Sequence, residues 1–211
     1  FNSSLRFNLI MKLAKIHKIY QYKLFDKKNQ NIIAAAQEFI KASIKVDVVS
    51  DPEILLDSKL VNNAKEIYNI DNKNINILLG IGGSGPTKRI PIKKYLEYMG
   101  LCLAKFDCHF FLATGKKNEE QVLLEEVIQS KYNNYCTTLD NLKIADTLPV
   151  IQNCNLAVCN DTSFSHISAA LGIETIVLMS DTPLLYGDYS PKMHPIIPDG
   201  ETTVKHNTLG K

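Results

Sequence analysis

Four short, dense apolar runs constrain this chain most: INILLGI (75–81), CHFFLAT (108–114), LAVCN (156–160) and ETIVLMS (174–180). Each is shorter than an ordinary buried helix, and none shows the apolar–polar alternation of a strand with one wet face. Such runs suit parallel strands covered on both faces. Between and around them lie segments of helical periodicity: 91–105, 118–131, 145–154 and 165–172, the last closed by Gly172. Pro91 suits the first position of its helix, and Asn118 with two acidic residues suits the start of another. A further short strand is expected near 135–137. Repeated βα units of this length predict an α/β fold, a parallel sheet with helices on both faces.

Upstream the pattern differs. Residues 4–20 place Leu5, Leu9, Leu13, Ile16 and Tyr20 at near-helical spacing, with Arg6, Lys12, Lys15 and Lys18 on other faces. The plain reading is a surface helix packed on a sheet; the sharper one is a basic amphipathic helix on an anionic membrane. A short strand is expected at 18–24, and helices at 29–42 and 57–69, the latter capped by Asp57 or Ser58. The polar, turn-like stretch 71–74 marks a candidate domain boundary, giving segments 1–72 and 73–211.

Composition narrows the function classes. With 45% apolar and 22% charged residues and a net charge of +2, the chain is neither extensively disordered nor built for polyanions, so nucleic acid is not an expected partner. No apolar run approaches the roughly 18–20 residues of a spanning helix. The five cysteines, Cys102, Cys108, Cys136, Cys154 and Cys159, form no CxxC pair and read as reduced thiols, with no metal-ligand spacing. The first residue is Phe, and the chain is expected to be part of a longer protein.

Two loops carry chemistry. The first, GIGGSGPTKRIP (80–91), follows the first dense strand. Gly80, Gly82 and Gly85 spell G-x-G-x-x-G, the letters of a dinucleotide site. The context contradicts that reading: Pro86 interrupts the approach to a helix, and no acidic residue ends a second strand at the right distance. A Walker A loop fails on spacing. What remains is mobile backbone whose N–H groups can approach an anion, with Ser84 and Thr87 hydroxyls and the cations Lys88 and Arg89. The plain alternative is a glycine-rich turn with solvated charges. The second loop is Asn160-Asp161-Thr162-Ser163-Phe164-Ser165-His166, between a strand and a helix rich in small residues. A helix N-terminus there offers free N–H groups and a partial positive charge, a seat for a diphosphate. The plain alternative is that Asp161 or Thr162 only caps the helix.

Together these loops resemble glycosyltransferase family 9, typified by the lipopolysaccharide heptosyltransferases. The family's G-x-S/G-x-x-K-R/H-W-P loop is similar to Gly82-Gly83-Ser84-Gly85-Pro86-Thr87-Lys88-Arg89-Ile90-Pro91, and its N/D-D-T/S-G-x-x-H-x-x-A-A-x-G motif to the run from Asn160 to Gly172. The resemblance covers roughly 75–190 and is weaker before 70. It implies a GT-B fold: a C-terminal Rossmann-like domain (73–211) that binds a nucleotide-sugar, and the trailing part (1–72) of an acceptor-side Rossmann-like domain. It implies an inverting, metal-independent transfer of a heptose-like sugar from a nucleotide-diphosphate donor such as ADP-heptose to a lipopolysaccharide or other glycan acceptor, with no cofactor. It places the enzyme in the bacterial cytoplasm, peripheral to the inner membrane. Ser84, Thr87, Lys88, Asp161, Thr162, Ser163 and His166 would hold the donor and its phosphates, and Glu119 or Glu120 the ribose. The general base would be a carboxylate upstream of Phe1, so the chain alone is expected to bind rather than turn over. Ile90 and Ser163 depart from the aromatic and glycine customary there. The competing readings are a non-catalytic nucleotide-sugar-binding module and, through the glycine letters, an NAD(P)-binding enzyme.

Overall fold

The computed structural model describes residues 5–21, 32–48, 51–181 and 186–199. Two compact units divide the chain, Phe1–Asp51 and Pro52–Lys211.

The first unit contains α1 (Leu5–Leu13) and α2 (Ile32–Ile44). The helix predicted over 4–20 stops at Leu13, because Lys15 turns to φ 57° and the amides of Lys15 and Ile16 close back onto Lys12 and Met11. That left-handed residue ends a helix much as a glycine would. No residue of α1 is buried among the described residues, and Leu5, Leu9 and Leu13 lie exposed, so the expected packing of this helix on a sheet is not seen there. Residues 18–21 form no strand, and the rest of the strand expected at 18–24 falls outside the described residues.

The second unit is the βα array that the dense runs predict. It comprises α3 (Ser58–Ile67), β1 (Ile75–Gly80), α4 (Ile92–Leu103), β2 (Cys108–Ala113), α5 (Asn118–Ile128), β3 (Cys136–Thr138), α6 (Ile144–Ile151), β4 (Leu156–Asn160), α7 (Ser163–Ala170), β5 (Thr175–Leu178) and β6 (Met193–Ile196). The sheet order is β3-β2-β1-β4-β5-β6, with every pairing parallel. Along β1 and β2 the side chains alternate between two apolar layers. Leu78, Phe111 and Cys159 pack under α3, α6 and α7; Ile77, Leu79, Phe110 and Leu112 pack under α4 and α5. Helices therefore cover both faces, and α/β is confirmed.

The contact division at Asp51/Pro52 lies upstream of the polar turn 71–74. Helix α3 explains the difference: Ala64 and Ile70 are buried in the same layer as α6, and Asn153 donates to the carbonyl of Val61 at 2.9 Å. Asp57 caps α3, accepting from the Lys59 amide at 2.8 Å. Strand β6 is the element that periodicity missed. It is a short edge strand containing Pro195, the position where a sheet tolerates proline.

The strand order fixes where a ligand can sit. From β1 the chain steps outward to β2 and β3, then returns across the sheet to β4 on the other side of β1. That reversal is a topological switch point, and the crevice lies beyond the carboxyl ends of β1 and β4. The glycine loop and the Asp161–Thr162 turn leave the sheet at these two ends.

Candidate functional site

A cavity of about 790 Å³ opens at these strand ends. The glycine loop contributes Gly82, Gly83, Ser84 and Lys88; the end of β2 contributes Thr114 to Lys117; the turn after β4 contributes Asp161 to Phe164. The loop after β3 and the start of α6 supply Leu139, Asp140, Leu142, Lys143 and Thr147.

Of the residues singled out from sequence, Ser84, Lys88, Glu120, Asp161, Thr162, Ser163 and His166 all line this cavity. Thr87 and Glu119 do not. The Thr87 hydroxyl donates to Asp181, and its carbonyl accepts from Ser180 at 2.6 Å, which ties this turn to the end of β5. Glu119 is 73% exposed and pairs with Arg89 at 3.1 Å. Of the two neighbouring glutamates, Glu120 is the one that faces the cavity. Its Oε1 accepts from the amides of Gly83 at 2.9 Å and Gly115 at 3.3 Å, and its Oε2 has no hydrogen-bond partner among the described residues.

Space beneath the loop is tight. A Cβ on Gly82 would lie 2.5 Å from Glu120 Oε1 and 2.9 Å from Thr114 Oγ1, so a larger residue here would have to displace both side chains. The Arg89 guanidinium donates to the Gly83 carbonyl at 3.0 Å and so belongs to the loop's own framework. A short 3-10 turn, Pro86–Lys88, follows the glycines, and α4 begins only at Ile92. The glycines therefore do not run directly into a helix, which removes the geometry a dinucleotide fingerprint needs.

Across the crevice, Lys88 Nζ lies 3.0 Å from Asp161 Oδ2. Asp161 Oδ1 is 3.6 Å from His166 Nε2, and His166 Nδ1 lies 2.6 Å from the Tyr189 hydroxyl, with the two rings stacked 5.5 Å apart. Burial first, and the Asp161 charge second, push the Tyr189 phenol above its ordinary value, so it keeps its proton. The phenol can donate to Nδ1 or accept from an N–H there; in the donating arrangement the ring's own N–H lies on Nε2, facing the carboxylate.

The helix cap tests the plain reading of the second loop. Thr162 is the N-cap of α7, but its side chain makes no capping bond. Its buried Oγ1 has no partner among the described residues, and neither has the buried Oγ1 of Thr114. Both residues line the cavity. A buried hydroxyl left unmade costs about 1–3 kcal/mol, and such groups concentrate where a ligand completes them. Thr162 is therefore not spent on capping. With Ser163 and Phe164 it forms the first turn of α7, whose N–H groups have no partner within the helix.

The cavity carries four lysines, Lys88, Lys116, Lys117 and Lys143, against three carboxylates, Glu120, Asp140 and Asp161. The three lysines beyond Lys88, and Thr114, were not recognised from sequence. They sit on loops whose direction only the fold sets. Among the described residues, no group of three or more His, Cys, Asp or Glu side chains is placed to hold a metal.

A cationic, hydroxyl-rich crevice at a switch point, beside a helix N-terminus, is suited to a phosphorylated ligand. The glycosyltransferase family 9 (heptosyltransferase) profile matches residues 10–206. The chain belongs to glycosyltransferase family 9. Solved structures that share its fold include the following three. "E. coli ADP-heptose lps heptosyltransferase II" aligns over 100% of the chain and 70% of its own length, at 16% identity and a TM-score of 0.66. "E. coli heptosyltransferase WaaC with ADP" aligns over 84% and 53%, at 20% identity and 0.62. A family 9 glycosyl transferase from Veillonella parvula aligns over 90% and 54%, at 19% identity and 0.70. This family 9 chain thus spans about half the length of the last two. Among curated protein sequences, none matches it.

Proposed function

We propose that the cavity binds a nucleotide-diphosphate sugar, and that the chain serves a glycosyltransferase passing a heptose-like sugar to a lipopolysaccharide or other glycan acceptor. Family membership supports sugar transfer. The observation that carries the donor site is the convergence in one cavity of Lys88, the first turn of α7 and the unpartnered Thr114 and Thr162 hydroxyls. As the glycosidic bond breaks, negative charge gathers on the departing diphosphate. Lys88 and the α7 N-terminus would stabilise that charge with groups already in place. Ser84, Ser163 and His166 stand around the same space, and Glu120 Oε2 is available to a ribose hydroxyl. Thr87 would act from behind, by holding the turn that carries Lys88. The WaaC relative is described with ADP and, in another structure, with ADP-2-deoxy-2-fluoro heptose, which favours an adenine nucleotide as the first ligand to test.

In this proposal 73–211 is the donor-binding domain, with 52–72 packed on it, and the preceding residues belong to the acceptor side. The acceptor is a glycan or glycolipid met at the cytoplasmic face of the inner membrane, and the transfer inverts the sugar carbon without a metal.

Calorimetric titration with ADP and with adenosine tests the reading. ADP is expected to bind at least about tenfold more tightly, since the phosphate contacts are charge-assisted. Equal affinities, or no binding of ADP, would overturn it. Release of ADP from ADP-heptose in the presence of acceptor separates an enzyme from a binding module.

A further inference from the structure

Asn160, the last residue of β4, is fully enclosed and does not line the cavity. Its Nδ2 donates to the carbonyls of Ile81 and Gly82, each at 3.0 Å. Its Oδ1 accepts from the Ile90 amide at 3.2 Å and from the Tyr95 hydroxyl at 2.9 Å. Both donors and both acceptor sites of the amide are thereby used. The orientation is unambiguous, because a flipped amide would set its oxygen against two carbonyls and its NH₂ against an N–H.

The partners have a particular arrangement. Ile81 and Gly82 are where the loop leaves β1, and Ile90 is where it ends before α4. One side chain therefore joins the two ends of the loop that carries Ser84 and Lys88. Tyr95, in the first turn of α4, braces the junction, since its hydroxyl also lies 3.2 Å from the Gly80 carbonyl. Glu120 holds the same loop from the β2 side, through the Gly83 amide. A loop fastened at its neck has fewer conformations to lose when its lysine meets a phosphate.

We propose that Asn160 is a positioning residue for diphosphate binding, acting through the glycine loop without touching the ligand. This rests on the donor-binding reading above.

The test uses the full chain and the variants Asn160→Ala, Asn160→Asp and Tyr95→Phe. ADP and adenosine are titrated, and amide hydrogen exchange is followed across 82–90 without ligand. Asn160→Ala is expected to weaken ADP by about tenfold or more, to leave adenosine within about twofold, and to speed exchange in the loop selectively. Asn160→Asp keeps the acceptor but sets a carboxylate against the Ile81 and Gly82 carbonyls, so it should lose as much at neutral pH. Tyr95→Phe, which leaves the Asn160 amide in place, should fall between and serves if Asn160→Ala does not fold. Unchanged ADP affinity with unchanged loop exchange would overturn the proposal. So would an equal loss for ADP and adenosine, which would mark a merely structural residue. If the unaltered chain binds no ADP yet Asn160→Ala still loosens the loop selectively, the donor reading fails and the fastening role of Asn160 stands.

Discussion

Replacing Lys88 by Met removes the ammonium while keeping most of the side chain's length. In the structure this group sits 3.0 Å from Asp161, with the lysine side chain 28% exposed and the carboxylate 7%. At an effective dielectric of about 20, unit charges about 4 Å apart interact by about 4 kcal/mol. Solvent screens part of that here, and Asp161 competes for the same ammonium when a phosphate approaches. The net value of one charge-assisted hydrogen bond, about 1.5–3 kcal/mol, is the better scale. Lys88→Met should therefore raise the Kd for ADP by about 10- to 150-fold. Asp161→Asn should act in the opposite direction and tighten ADP severalfold, because it frees Lys88 and removes a like charge from the diphosphate seat. The assay is calorimetry at low and at raised salt. The unaltered chain should lose affinity with salt more steeply than Lys88→Met, since screening acts on the contact that the variant lacks. ADP affinity unchanged in Lys88→Met would refute the assignment of Lys88 to phosphate. Weaker binding in Asp161→Asn would refute the view of Asp161 as a competing counter-ion.

Three further outcomes are expected. Glu120→Ala orphans the buried amide of Gly83 and the half-buried one of Gly115 and should cost about 1–3 kcal/mol in urea unfolding, whereas Glu120→Gln retains an acceptor and should stay within about 1 kcal/mol; equal midpoints for both would contradict the loop-holding role. Burial holds His109 below its ordinary value, so the unfolded chain binds more protons between that lowered value and about pH 6.5. Its contribution to stability is complete above that window and is lost as pH falls through it; His109→Gln should flatten this part of the stability–pH curve, and an unchanged slope would count against it. Finally, burial pushes the Cys159 thiol up to about 12 and raises Cys154 as well, so neither should be alkylated at pH 8 until the chain unfolds, with labelling read by mass spectrometry. Rapid native labelling of either would show that the strand ends open.

Much of the fold was legible because buried parallel strands write themselves as dense apolar runs. LAVCN is β4 residue for residue, and the other runs overlap their strands closely. Gly172 closes α7 with φ 80°, as a glycine after a helix should. The misses have local causes. Lys15 ends α1 in a left-handed conformation that nothing in its residue type announces, and β6 carries a proline that reads as loop until an edge is available to it.

The residues of the candidate site were legible only in part. Lys88, Asp161 and His166 were marked by motif, yet their roles depend on a meeting that spacing cannot show. Lys88 and Asp161 are 73 positions apart and touch because the chain reverses across β1 to form β4. Glu119 and Glu120 are neighbours with equivalent letters, and the helix turns one out to Arg89 and the other in beneath the glycine loop. Thr162 looks like a capping residue in any alignment of letters, and only its unpartnered hydroxyl shows that it is not used as one. Local periodicity and residue type suffice for a βα array and for the two loops that carry charge, because those are properties of consecutive residues. Which side chains converge, and which hydroxyls are left for a ligand, is a property of strand order and helix rotation, and these emerge only when both faces of the sheet are covered.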